Sequence, residues 1–216
     1  MKHNRQIDLI NPNKLEMSIE IIGAGGIGSW ATLALTKMGC KNIKIRDHDK
    51  VEIHNTASQL FGENSVGESK VAALTKYILD LTGEAILVSE YEWKPVGVPF
   101  IGPIVISAVD SIETRIEIWK QILESPGVEL YIDGRMAGDL IRIYSIPLHS
   151  GPKDWDPMIE YAKTLVPVKP GPCTARAVVY NTFVCGGFIA NLVKKYAKEE
   201  EVPFEVSFDL TTLERV

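Results

Sequence analysis

The segment "IEIIGAGGIGSWATLALTKMGC", residues 19–40, constrains this chain more than any other. Residues 19–22 are a short apolar run, and from residue 27 to 38 the apolar positions recur at helical spacing, so the segment reads strand, tight turn, helix. Gly23, Gly25 and Gly28 stand in the turn with G-x-G-x-x-G spacing. Gly23 permits the sharp turn, Gly25 with Gly26 beside it lets backbone amides approach a phosphate, and Gly28 allows the helix to pack closely. The helix N-terminus adds partial positive charge. Asp47 stands 19 residues after the last of these glycines, closing the strand "NIKIRD" (42–47), where its carboxylate would accept hydrogen bonds from ribose hydroxyls. This pattern predicts a parallel sheet that holds a nucleotide at the carboxyl ends of its strands.

The remainder agrees with such a sheet. Helices are expected over 66–81, 112–123 and 175–197, and strands at 86–90, 104–110, 130–133, 140–146 and 204–210. Strands alternating with helices predict an α/β, doubly wound, Rossmann-like and mainly parallel sheet, with an antiparallel extension towards the C-terminus. Gly23, Asp47 and Asp110 then converge on one rim. At 216 residues and 45% hydrophobic, the chain is long enough to bury a full core as one domain, 1–216, with the Pro- and Gly-rich stretch 147–172 as a crossover or lid.

Composition excludes several classes. A net charge of −5 with scattered lysines and arginines leaves no electrostatic footprint for nucleic acid. No window approaches the roughly 20 apolar residues a membrane span needs, so a cytoplasmic protein is expected. The 3 cysteines, Cys40, Cys173 and Cys185, form neither a CxxC pair nor a disulfide framework. His48 and His54 read as solvated loop residues.

A nicotinamide enzyme has no evident use for the residues beyond Asp47. The stretch "HDKVEIHNTASQLFGENSVGESK" carries Asp49, Asn55, Gln59 and Lys70 before the next helix. A triphosphate does have a use for them. Lys70, in the first turn of the helix at 66–81, suits a phosphate cluster, since a cation there is otherwise unfavourable with the helix dipole. Asp110, at a strand end in "SAVDSIETR", is placed to hold Mg²⁺, a hard cation that prefers oxygen ligands. Arg115, one turn into the next helix, either orients Asp110 or a phosphate, or forms a structural salt bridge.

Together these segments resemble the ThiF/MoeB family of adenylyltransferases, which activate the C-terminal carboxylate of ubiquitin-like and sulfur-carrier proteins. "GAGGIGS" looks like the family's glycine loop, "DHDKVEIHNTASQLF" like its D-x-D-x-V-x-x-x-N-x-x-R-Q segment, "VGESK" like its phosphate-lysine helix start and "AVDSIETR" like its magnesium aspartate. "HNRQI" near the N-terminus is similar to its R-Q element, in which an arginine reaches across a homodimer. The resemblance implies that a carboxylate attacks the α-phosphate of ATP, giving an acyl adenylate and pyrophosphate. It further implies that Asp47 binds ribose, that Asp49, Asn55, Gln59 and Lys70 surround the triphosphate, that Asp110 binds Mg²⁺, and that Arg5 serves the partner subunit.

The chain departs from the family in two places. Ser58 stands where the family has an arginine, and Arg135 in "YIDGRMAGD" is the cation expected to replace it. The family's CxxC zinc motifs are missing, which implies a compact, zinc-free branch. Cys173, just before the last helix, falls where many members carry a reactive cysteine, and a helix N-terminus lowers a thiol's pKa. The expected acceptor is a ubiquitin-like or sulfur-carrier protein or a peptide C-terminus. Two rivals stay open: an ATP-binding scaffold without catalysis, for which Ser58 argues, and an NAD(P)-dependent oxidoreductase, for which the glycine loop and Asp47 alone argue.

Overall fold

A computed structural model of the chain describes residues 2–94, 99–150, 156 and 177–216. Eight strands form one sheet in the order β3-β2-β1-β4-β5-β6-β7-β8. They are β1 (Ile19–Ile22), β2 (Ile43–Arg46), β3 (Leu87–Ser89), β4 (Ile104–Ser107), β5 (Leu130–Ala137), β6 (Leu140–Pro147), β7 (Glu205–Asp209) and β8 (Glu214–Arg215). The strands from β3 to β5 pair in parallel, and β6, β7 and β8 continue the sheet antiparallel. The doubly wound sheet with an antiparallel C-terminal extension is therefore as the sequence predicts.

The central strands are apolar on both faces because helices cover both. Ile19, Ile21, Ile43, Ile45, Ile104, Ile106 and Ile132 face α1 (Gly26–Met38), α2 (Lys70–Thr82) and α4 (Val179–Ala197). Ile22, Val105, Tyr131 and Tyr144 face the other way, packing with Ile118, Trp119 and Ile122 of α3 (Ile112–Leu123). Helices α1 and α4 approach so closely that a Cβ on Gly186 would lie 2.8 Å from the Ala31 amide nitrogen.

Several boundaries differ from the expected ones, for local reasons. Strand β4 stops at Ser107 rather than running to 110, because the chain must turn to enter α3, where the Ser111 hydroxyl accepts from the Thr114 amide at 3.1 Å. Helix α2 starts at Lys70 rather than 66, since Gly67 holds a φ of +90° and Ser69 is the N-cap. Strand β5 continues to Ala137, well past the expected 133. Its first four residues pair with β4, whereas all eight pair with β6, so Gly134–Ala137 project beyond the parallel part of the sheet. Strand β8 was not expected. Cys173 and most of 147–172 lie outside the described residues.

Candidate nucleotide site

A cavity of about 1000 Å³ opens at the carboxyl ends of β1, β2, β4 and β5. The glycine loop forms one wall. Gly23 sits at φ +99°, and a Cβ there would lie 2.7 Å from the Ala108 carbonyl oxygen, so the loop passes tightly beside the end of β4. A Cβ on Gly28 would lie 1.9 Å from the Gly23 oxygen, which explains why helix α1 needs glycine at that turn. Gly23, Gly25 and Gly26 line the cavity, while Gly28 sets the packing behind it.

Asp47 fixes this loop to β2. Its Oδ2 accepts from the Ala24 amide at 2.7 Å and its Oδ1 from the Asp49 amide at 2.8 Å. Asp49 in turn accepts from Lys70 Nζ at 2.7 Å, and this hydrogen bond is the main reason its carboxyl is held below the usual range. Lys70 is buried as the first residue of α2, its charge turned into the cavity rather than into solvent. Gln59 lines the cavity opposite Gly25, and its Oε1 is buried with no hydrogen-bond partner among the described residues. Such an atom marks a place where a ligand or water belongs.

Asp110 is exposed on the cavity rim, in the loop between β4 and α3. Ligand atoms of Asp47, His48 and Asp49 lie within 4.8 Å of one another. Their carboxylates, however, already serve the Ala24 and Asp49 amides and Lys70, which leaves Asp110 the better oxygen donor for a divalent cation.

Arg115 forms a structural salt bridge and also feels the charge of Asp110. It is buried beneath the cavity wall, donating to Asp133, to the Val109 carbonyl and to the Gly134 carbonyl. Burial lowers its guanidinium to about 10, so it stays charged at neutral pH. Arg135 donates from Nε and Nη2 to the other oxygen of the same aspartate, at 2.8 and 2.7 Å, and lies 5.2 Å over the Tyr144 ring. Both arginines line the cavity, and Asp133 between them is wholly buried. The sequence pointed to Arg115, with a structural salt bridge as one of its two readings, but not to Asp133 as its partner. The one local signal is that Asp133 stands two residues before Arg135 on a strand, which puts both on one face.

Two expected residues are elsewhere. Asn55 does not line the cavity: it is buried in a short 3-10 turn, where its Oδ1 accepts from the Glu52 amide at 2.9 Å, a capping contact. Arg5 is exposed in the 3-10 turn Asn4–Gln6, and neighbouring Gln6 donates to the carbonyl of Met38, the last residue of α1. The 13-residue α1 separates that point from the glycine loop by about 20 Å, further than an arginine side chain extends. Ser58 lines the cavity, its carbonyl held by Trp30 Nε1 at 2.9 Å and the Thr182 hydroxyl at 2.8 Å.

A model of the ThiF family matches residues 3–128, more than half of the chain. The chain belongs to the ThiF family. This bears out the resemblance read from the glycine loop, the Asp47–Gln59 segment, Lys70 and Asp110. Relatives include ubiquitin-like modifier-activating enzyme 5 of Arabidopsis thaliana, 32% identical over 74 residues, which are 34% of this chain and 17% of that protein. Adenylyltransferase and sulfurtransferase MOCS3 of Aedes aegypti is 36% identical over 75 residues, 34% of this chain and 17% of the relative. The matches thus span less than a fifth of those proteins. Among solved structures, E. coli MccB with ATP aligns over 95% of this chain and 64% of that one, with a TM-score of 0.76 and 19% identity. PaaA aligns over 100% of this chain and 71% of that one, with a TM-score of 0.78 and 20% identity. At such identities the likeness establishes the ThiF fold.

Among the described residues, no helix is long and apolar enough to cross a membrane.

Proposed function

We propose that this ThiF-family chain is an ATP-dependent adenylyltransferase acting on the C-terminal carboxylate of a peptide or of a small protein of the ubiquitin-like or sulfur-carrier kind. The observation that carries the reading is Lys70: a buried cation, paired with Asp49, in the same cavity as the glycine loop. A nicotinamide pocket has no need of it. A triphosphate does, because positive charge must stand where charge develops as pyrophosphate leaves.

In this reading the backbone of Gly23–Gly26 and the N-terminus of α1 receive the phosphates, and Asp47 holds the ribose. The Gln59 amide faces them from across the loop, meeting its unpartnered oxygen's need for a donor through bound solvent or ligand. Asp110 would hold Mg²⁺, which supplies charge neutralisation beside the departing pyrophosphate. The acceptor carboxylate attacks the α-phosphorus, the bond to the bridging oxygen of pyrophosphate breaks, and no proton transfer is required of the attacking group. That places the burden on positioning and electrostatics.

Arg5 serves a second copy of the chain, since its own cavity is at the far end of α1. Mixing an Arg5→Ala protein with a Lys70→Ala protein should restore part of the activity both lack separately, by forming one intact site per mixed dimer; no recovery would remove the trans role.

Calorimetry tests the central reading. ATP with Mg²⁺ should bind, Asp110→Ala should lose the magnesium-dependent part, and NAD⁺ should not compete. Tight NAD⁺ binding with none for ATP would overturn it in favour of the oxidoreductase. ATP binding without pyrophosphate release, when a cognate acceptor is supplied, would mark a scaffold.

A further inference from the structure

Gln59 is held on both sides by two consecutive residues of α1, Ser29 and Trp30. The Ser58 carbonyl accepts from Trp30 Nε1 at 2.9 Å, and the Leu60 amide donates to Ser29 Oγ at 3.1 Å. The backbone of Gln59 is itself committed: its amide donates to the Asn55 carbonyl at 2.9 Å, and its carbonyl accepts from the Phe61 amide at 2.8 Å. Its side chain is not. Gln59 Oε1 is buried without a hydrogen-bond partner among the described residues, and Nε2 lies 4.0 Å from where a Cβ on Gly25 would stand. A fixed backbone carrying an uncommitted amide opposite the glycine loop is built to meet something that enters the cavity.

A third tether comes from α4, beyond the family match that ends at residue 128. The wholly buried Thr182 hydroxyl lies 2.8 Å from the Ser58 carbonyl and 2.9 Å from the Val179 carbonyl, and its one proton is shared between them. The same side chain abuts the glycine loop, since a Cβ on Gly26 would lie 2.8 Å from Thr182 Cγ2. Phe183, next on α4, packs edge-on against Trp30 with ring centroids 5.1 Å apart, which limits how far the indole can swing from Ser58. The Ser58–Gln59 segment is thus clamped between two helices. Ser58 and Gln59 line the cavity whereas Trp30 and Thr182 do not, so whatever the latter do for a ligand they do through the segment they hold.

We propose that Trp30 and Thr182 are positioning residues for the nucleotide, holding Gln59 through the Ser58 carbonyl so that its amide meets the triphosphate across the glycine loop. This rests on the adenylyltransferase reading and concerns how that site is set in advance. Ordering a loop residue costs conformational entropy. Where the fold has already met that cost, binding does not meet it again, and the hydrogen bond of the amide counts in full towards affinity. At Ser58 no arginine reaches into the cavity, so the amide of the next residue is the polar group that this wall presents.

The test uses the full chain with α,β-methylene-ATP and Mg²⁺, reading affinity by calorimetry and the Gln59 side-chain amide signals by NMR. In the unaltered chain those signals should shift saturably with the analogue. Trp30→Phe keeps a ring beside Phe183 and removes the N–H, and Thr182→Val keeps the shape and removes the hydroxyl; each should weaken binding about three- to tenfold. Thr182→Ser, which restores the hydroxyl, should stay within about twofold of the unaltered chain. Because the tethers act through Gln59, neither Trp30→Phe nor Thr182→Val should add more than about twofold in a Gln59→Ala background, whereas a merely structural role would leave their losses at full size there. If Trp30→Phe fails to fold, the comparison of Thr182→Val with Thr182→Ser carries the test. Full-sized losses in the Gln59→Ala background overturn the proposal, and so does unchanged affinity in the tether variants, or binding of the analogue with no shift at Gln59. If the unaltered chain does not bind the analogue at all, the adenylyltransferase reading itself has failed.

Discussion

The cavity has two carboxylate-held cationic groups, and they are built differently. On the side that matches the ThiF family, Lys70 is paired with Asp49, whose side chain is 53% exposed. Just beyond the match, Asp133 is 0% exposed and holds two arginines, Arg135 on its own strand and Arg115 from within the matched residues. The first pair can exchange its partner for a phosphate, because water and ligand reach it. The second cannot come apart without stranding charge in the interior. A movable cation suits a nucleotide that enters and leaves, and a fixed one suits a rigid cavity wall.

The largest effect expected from this contrast is on stability. Removing one partner of a buried ion pair costs about 3–5 kcal/mol, because the remaining charge is left uncompensated, whereas exposed pairs contribute about 0–1 kcal/mol. Asp133→Ala, which removes the buried carboxylate that two guanidinium groups share, should therefore lower the denaturant midpoint far more than Asp49→Ala. Equal losses in urea unfolding would show that the two pairs do not differ in the way their burial implies.

Nucleotide affinity should show the reverse order. A charge-assisted hydrogen bond is worth about 1.5–3 kcal/mol, so Lys70→Ala should weaken ATP binding roughly ten- to a hundredfold, by calorimetry. Ser58→Arg should strengthen it by a smaller factor, about tenfold at most, because the added long side chain must be ordered on the cavity wall. If Lys70→Ala leaves ATP affinity intact, the buried lysine is structural and the nucleotide lies elsewhere.

The same division separates what the sequence revealed from what it hid. Gly23, Asp47, Lys70 and Asp110 each sit at the junction of a strand or turn with a helix, so local patterns announced them, and the sheet's topology brings them together. Arg115 and Asp133 are 18 residues apart, on α3 and β5, and nothing local to either says that they meet. Asn55 misled for the opposite reason: its place in a familiar segment suggested a ligand contact, while its own chemistry, an amide three residues after Glu52, made it a cap. The end of β4 was obscured because the apolar run continues through Val109, although the chain has already turned at Ala108 beside Gly23. Strand β8 has two exposed charged residues and no apolar pattern at all.

The smallest expected effect is electrostatic and depends on pH. Asp49 is held below the usual carboxylate range chiefly by its hydrogen bond from Lys70. A carboxyl with a depressed value in the folded state binds fewer protons there than in the unfolded chain. Its contribution is thus complete above the ordinary aspartate value near 3.9 and is lost as pH falls through the folded value. Because Asp49 is half exposed, screening limits that contribution to under about 1 kcal/mol. Asp49→Asn keeps the shape and removes the charge. Urea midpoints of the two proteins should differ slightly at neutral pH and converge only as the pH falls below the ordinary carboxylate range, and the neutral-pH difference should shrink in high salt. A difference that survives both acid and salt would mean that the carboxylate acts through packing, and that Lys70 is held as firmly as the arginines on Asp133.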